Sequence, residues 1–209
     1  MQFKDLEGLK KVFLYAGDLV WWSRMHKPFV GLSLYQNNDS HIKHNIENSM
    51  DLPDGSVDIY QSEDVMEHIE YKALPQIINE VYRVLRAGGL FRMSMPDYRC
   101  DILRDRSRKN KNGEIIFDEG GGGRYDEKTG SVVEGGHLWF PVYESVKDLI
   151  SKTNFSNVHF LHCYTTEGTP VCKDIDYKLG YVGRTPDNDT RVRTPRRPMS
   201  IVLDCYKDD

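Results

Sequence analysis

An α/β fold is predicted for this 209-residue sequence: a mostly parallel sheet covered by helices, with an antiparallel edge strand. Strand-type and helix-type runs alternate through the first hundred residues, the pattern of parallel strands joined by crossover helices. Two further strand-like runs come late and are separated by a long polar excursion, which suits an antiparallel edge.

The elements follow in order. Residues 11–17, KVFLYAG, are a β-run closed by glycine, and residues 27–35, KPFVGLSLY, are a second. The turn signal LPDGS (52–56) precedes VDIYQS (57–62), a short third run. From Tyr71 to Leu85, apolar Ile77, Ile78, Val81, Tyr82 and Leu85 recur at helical spacing, with Pro75 in the first turn, where proline is tolerated. RAGG is expected to end that helix with a glycine cap, and LFRMSMPD (90–97) is the next strand. Residues 101–136 hold a basic stretch, glycines 120–123 and a further glycine pair. They predict an insertion that is a mobile lid loop with at most one hairpin. VYESVKDLISKT (142–153) reads as an amphipathic helix, and residues 157–165 and 198–206 read as strands. With no internal repeat and no linker, residues 1–209 form a single domain.

Composition narrows the function. Lys plus Arg number 28 against 32 Asp plus Glu, a net charge of −4, so bulk charge gives no argument for a nucleic-acid surface. No apolar run approaches the ~18 residues of a membrane span, and the N-terminus lacks the pattern of a cleaved signal. Cys100, Cys163, Cys172 and Cys205 are widely spaced and read as free thiols in a reducing cytoplasm.

Ligands of an open α/β sheet bind at the carboxyl ends of its strands, here near residues 16–18, 33–34, 61–64 and 96–99. The third of these opens SEDVMEHI (62–69), which crowds Asp64, Glu67 and His68 together. If a helix starts near Asp64, the three share one face of its first turns, at i, i+3 and i+4. The helix N-terminus alone would favour the carboxylates. His137, after two glycines and before the next helix, is a further metal-capable side chain.

LPDGSVDIYQSEDVMEHI, a helix, and then VLRAGGLFRMSMPDY closely resemble the class I S-adenosylmethionine-dependent methyltransferases over residues 10–99. The resemblance implies a Rossmann-like seven-stranded sheet with helices on both faces. It also implies S-adenosyl-L-methionine held by Ala16, Gly17 and Asp18 after the first strand and by Ser33 and Leu34 after the second. In that reading Asn45 and Ile46 flank the adenine, and Gln61 and Ser62 lie beside the sulfonium. The first loop departs from the family: after Gly17 the later glycines are replaced by LVWW, whose Trp21–Trp22 pair reads as packing.

The helix-start cluster plus a distant histidine is similar to two metal-dependent branches of that family, the ubiquinone-biosynthesis O-methyltransferases and the plant small-RNA ribose 2′-O-methyltransferases. The match implies Asp64, Glu67, His68 and His137 as ligands of Mg²⁺ or Mn²⁺. Asp64, His68 and His137 are the candidate catalytic residues, with either histidine a ligand or the proton acceptor. Tyr98 and Arg99 are expected to line the acceptor pocket and Trp139 to stack on a sugar ring. The whole looks like a small chlorovirus-encoded glycan methyltransferase, which implies a sugar acceptor such as rhamnose, no membrane or nucleic-acid partner, and a host-cytoplasmic location. An RNA ribose 2′-O-methyltransferase and a non-catalytic binding module are the alternatives.

Overall fold

The computed structural model describes residues 1–19 and 28–208, so the Trp21–Trp22 pair lies outside the described residues. Five strands come first: β1 (Phe13–Ala16), β2 (Val30–Ser33), β3 (His41–Lys43), β4 (Val57–Glu63) and β5 (Leu85–Pro96). Four short ones, β6 (Ser107–Lys109), β7 (Ile115–Asp118), β8 (Arg124–Asp126) and β9 (Ser131–Val133), form two separate hairpins. The last three are β10 (Asn157–Tyr164), β11 (Pro170–Cys172) and β12 (Ser200–Tyr206).

The main sheet is eight-stranded, in the order β11-β10-β12-β5-β4-β1-β2-β3. β1 to β5 pair in parallel, β12 runs antiparallel between β5 and β10, and β11 is an antiparallel edge. The expected α/β fold holds, with eight strands rather than seven, because residues 165–169 turn β10 back on itself to add β11. Residues 41–43, HIK, are too short for a strand signature; they pair with β2 at the edge and bury Ile42 in the main core.

The strands sort side chains by parity. In β1, Leu14 and Ala16 enter one core while Phe13 and Tyr15 enter another on the opposite face. Helix α1 (Leu74–Val84) buries Leu74, Ile77, Ile78, Val81 and Val84, and a 3₁₀ turn over Tyr71–Ala73 leads into it. The helix does not end on the glycines. Leu85 is already extended, and residues 86–89 bulge out of the ladder, so the partners jump from Val57↔Leu85 to Ile59↔Leu90. Gly88, at φ +67°, serves this bulge rather than a helix cap.

The 101–136 insertion carries a short helix and two hairpins, where the sequence predicted at most one hairpin. Helix α2 (Asp101–Arg106) leads into the β6–β7 hairpin, and left-handed glycines turn the chain around β8–β9. Helix α3 (Tyr143–Ser151) then packs Val146, Leu149 and Ile150 into the same core as α1.

On the opposite face of β4 and β5 the cover is the irregular segment 173–199. Its own turns satisfy part of its backbone, and polar side chains of the strands beneath take up further groups. Buried Arg92 makes two 2.7 Å bonds to Asp204 and donates to the carbonyls of Asp176 and Gly180. Gln61 Nε2 donates to the Tyr181 carbonyl, and Glu63 accepts from the Gly183 N–H.

Candidate functional site

A cleft of about 440 Å³ opens at the carboxyl ends of β1, β2, β3 and β4. Its floor is Gly17, whose φ of +92° lets the chain turn sharply out of β1, and its N–H is bonded to the Leu32 carbonyl. Leu34, Ile46, Val65 and Ile69 supply apolar walls; Asp18, Asn45, Glu47 and Asp64 supply polar edges. Exposed Tyr35 and half-buried His44 also line it, and neither had been singled out from sequence. Ala16 borders a smaller adjoining cleft with Gly17, Asp18, Glu63 and Asp64.

Three expected cofactor contacts lie elsewhere. Ser33 is 1 % exposed, and its hydroxyl accepts from the N–H groups of Tyr35 and Gln36, fixing the turn that ends β2. Gln61 and Ser62 are fully buried inside β4, with the Gln61 amide committed to segment 173–199. Both sit within β4 rather than in the loop after it, and as neighbours in a strand they point to opposite faces of the sheet.

Deeper in, the residues after β4 do not start a regular helix. Asp64 takes a left-handed φ of +55°, and a single 3₁₀ turn over Met66–His68 follows. Asp64, Glu67 and His68 therefore do not share a helix face. Glu67, His68 and His137 instead converge, each offering a ligand atom within 4.8 Å of the others. The rings of His68 and His137 meet edge-to-face at 4.6 Å. The Leu138 N–H bonds to the Glu67 carbonyl, bringing His137 alongside. Asp64 leaves the group: its carboxylate is paired with Arg184 from segment 173–199. Nothing in the sequence around Arg184 marks that contact; it depends on where the segment lies down.

Glu67 is fully buried, and neither carboxylate oxygen has a hydrogen-bond partner among the described residues. Burial, then the like charge of Asp64, pushes its pKa well above the usual carboxylate range. His137 is also buried; desolvation, then the neighbouring His68, lowers its pKa to about 4, so the ring is neutral at pH 7. His68 Nδ1 sits 2.8 Å from the Gly135 carbonyl, which only accepts, so Nδ1 is the donor there. His137 Nε2 is 3.8 Å from Glu67 Oε1. That gap is too long for a hydrogen bond. Two ligands each about 2.1 Å from one ion stand roughly 3–4 Å apart, so the separation suits a shared divalent cation.

The expected acceptor residues serve the framework. Tyr98 is 3 % exposed and bonded to Asp118 and His137. Arg99 is clamped by two bonds, 2.5 and 2.8 Å, to Glu144 in the first turn of α3. Trp139 donates Nε1 to the Met66 carbonyl and lies edge-on to Tyr71. In the two basic stretches, Arg104, Arg108, Arg191, Arg196 and Arg197 each face a carboxylate.

Residues 24–93, which hold the cleft-forming strands β2 to β4, match the methyltransferase domain family. Similar solved structures are S-adenosylmethionine-dependent methyltransferases. The one from Methanosarcina mazei is 14 % identical with a TM-score of 0.50, and 96 % of this chain and 94 % of that one are covered. The one from Mesorhizobium loti is 14 % identical with a TM-score of 0.53, covering 93 % and 90 %. The one from Archaeoglobus fulgidus is 12 % identical with a TM-score of 0.51, covering 94 % and 86 %. No curated protein matches the chain. The family match spans residues 24–93 only, and the likeness to the solved structures is one of fold. No helix among the described residues is long and apolar enough to cross a membrane.

Proposed function

We propose that this protein is an S-adenosylmethionine-dependent, metal-assisted O-methyltransferase, with a sugar hydroxyl as acceptor. One observation carries the metal assignment: a fully buried carboxylate, Glu67, with no hydrogen-bond partner among the described residues, faces two histidines. An unpaired buried carboxylate is costly, and a divalent cation is the partner that would keep it ionised. Two imidazoles with one carboxylate move the preference from Mg²⁺ towards Mn²⁺ or Fe²⁺, since Mg²⁺ favours all-oxygen coordination. Asp64 stays outside that set unless it leaves Arg184.

The cleft beside it suits S-adenosylmethionine: its volume lies in the usual ligand range, with apolar walls at Leu34 and Ile46 for the adenine faces. S-adenosylmethionine would supply the methyl group, and the bound ion would lower the acceptor hydroxyl's pKa and hold its oxygen. The net reaction gives methyl ether, S-adenosylhomocysteine and one proton. The sugar acceptor rests on the sequence resemblance.

Calorimetry with Mn²⁺ and with S-adenosylhomocysteine tests the reading. Wild type is expected to bind both, Glu67→Gln only the second, and methyl transfer to rhamnosides is expected to stop in EDTA and return with Mn²⁺. Full activity in EDTA would refute the metal assignment. Transfer to RNA instead of a rhamnoside would move the acceptor to a ribose.

A further inference from the structure

The metal-facing edge of His137 is only half of its environment. Its other nitrogen, Nδ1, contacts the Tyr98 hydroxyl oxygen, and that hydroxyl donates to Asp118 Oδ2 at 2.6 Å. Asp118 is 1 % exposed and closes β7, within the insertion. It receives two 2.6 Å bonds from Arg106, at Nε and Nη2, and one of 2.9 Å from the Gly120 N–H.

Proton counting sets the order of this chain. Asp118, ringed by an arginine and a backbone N–H, acts only as an acceptor, so the single phenol proton of Tyr98 is directed to it. The Tyr98 oxygen then presents lone pairs to His137 Nδ1. That contact is favourable only if Nδ1 carries the imidazole proton. Nε2 is left as the lone pair, on the side of Glu67. A second constraint acts on the ring itself: a Cβ placed at Gly121 would fall 2.8 Å from His137 Nδ1 and 2.9 Å from Cγ. The insertion backbone presses against the imidazole and leaves it no room on that side.

We infer that Arg106, Asp118 and Tyr98 are positioning residues that lock His137 in its Nδ1–H tautomer and orientation, so that the 101–136 insertion completes the metal site. The inference rests on the proposed metal reading. Hydrogen-bonded partners of this kind orient metal-ligating histidines and typically alter metal affinity about 10–100-fold. A purely structural role for the same contacts would leave tautomer and metal affinity unchanged.

The test uses the full chain, two readouts and two variants. In metal-free protein, ¹⁵N NMR of the His137 ring should show the Nδ1–H form in wild type and a tautomer mixture in Tyr98→Phe, which keeps the Asp118–Arg106 pair. Calorimetry with Mn²⁺ should show 10–100-fold weaker binding in Tyr98→Phe, with S-adenosylhomocysteine affinity retained. Gly121→Ala, which removes no hydrogen-bonding group but pushes the ring from its place against Tyr98, should weaken Mn²⁺ binding in the same direction. Wild-type Mn²⁺ binding matched by both variants would overturn the positioning role and leave the metal reading standing. No Mn²⁺ binding in wild type would overturn both. An Nε2–H tautomer in wild type would overturn the relay alone.

Discussion

Gly17 is constrained first by its own backbone conformation. Among the described residues, the contact a Cβ there would make is with Val65 Cγ2, at an ordinary 3.7 Å. The constraint is φ +92°, which a β-branched residue adopts only at a cost of about 1–2 kcal/mol. Gly17→Val is therefore expected to reshape the turn after β1 and to lose S-adenosylhomocysteine affinity, read by calorimetry; Gly17→Ala should fall between. Equal affinity in the valine variant would show that the cofactor does not use this turn.

Asp97 gives a pH signature at the same scale. Burial raises its pKa to about 6, although the N–H groups of Tyr164 and Arg99 and the Arg99 charge oppose the shift. A carboxyl whose folded pKa exceeds its unfolded value of about 3.9 binds more protons in the native state between the two. Its contribution is thus complete below pH ~4 and is lost as pH rises through about 6, by roughly 2–3 kcal/mol. Urea unfolding of wild type and Asp97→Asn between pH 4 and 7 isolates this contribution. The stability difference should fall for wild type relative to the variant as pH rises, and a flat difference would mean that Asp97 does not titrate in this window.

At the scale of elements, segment 173–199 carries the main lesson. It covers β4 and β5 where a helix could have packed, and side chains of the strands beneath bond the carbonyls of Asp176, Gly180 and Tyr181 and the Gly183 N–H. Arg92 is the central one, buried with Asp204 and bonded to two carbonyls of the segment. Arg92→Ala leaves Asp204 buried and unpaired, so a loss of about 3–5 kcal/mol is expected in urea unfolding. The double variant Arg92→Ala with Asp204→Ala should recover part of that, because the orphaned charge is gone. Additive losses would show the two side chains to be uncoupled. The same segment brings Arg184 to Asp64, so loosening it should also free that carboxylate.

For the whole molecule, a metal joining two distant parts of the chain should couple site and stability. Glu67 and His68 follow β4, whereas His137 lies beyond the insertion, so one ion would tie the two parts of the chain together. At free Mn²⁺ about 100 times its Kd, linkage adds about 2.7 kcal/mol. For a chain of this size that is roughly a 5–11 °C rise in Tm. Scanning fluorimetry with Mn²⁺, then with EDTA, should show the rise and its reversal in wild type and neither in Glu67→Gln. An identical Mn²⁺ shift in that variant would place the ion elsewhere.

Periodicity by itself determined the alternating strands and helices of the first hundred residues, because apolar spacing is a local property that burial on a parallel sheet demands. The crowding of Asp64, Glu67 and His68 and the isolated His137 were legible too, since such side chains rarely gather for packing. The tertiary structure alone decided how they are used. Asp64 turns away to Arg184, Ser33 and Gln61 are spent on backbone, and Tyr98 backs His137 rather than an acceptor. Each of those outcomes depends on a contact between residues far apart in the chain or on burial at the end of a strand. Asp118 and Arg184 carried no local signal: their partners are 20 and 120 residues away, and only the folded insertion and the draped segment 173–199 bring them together.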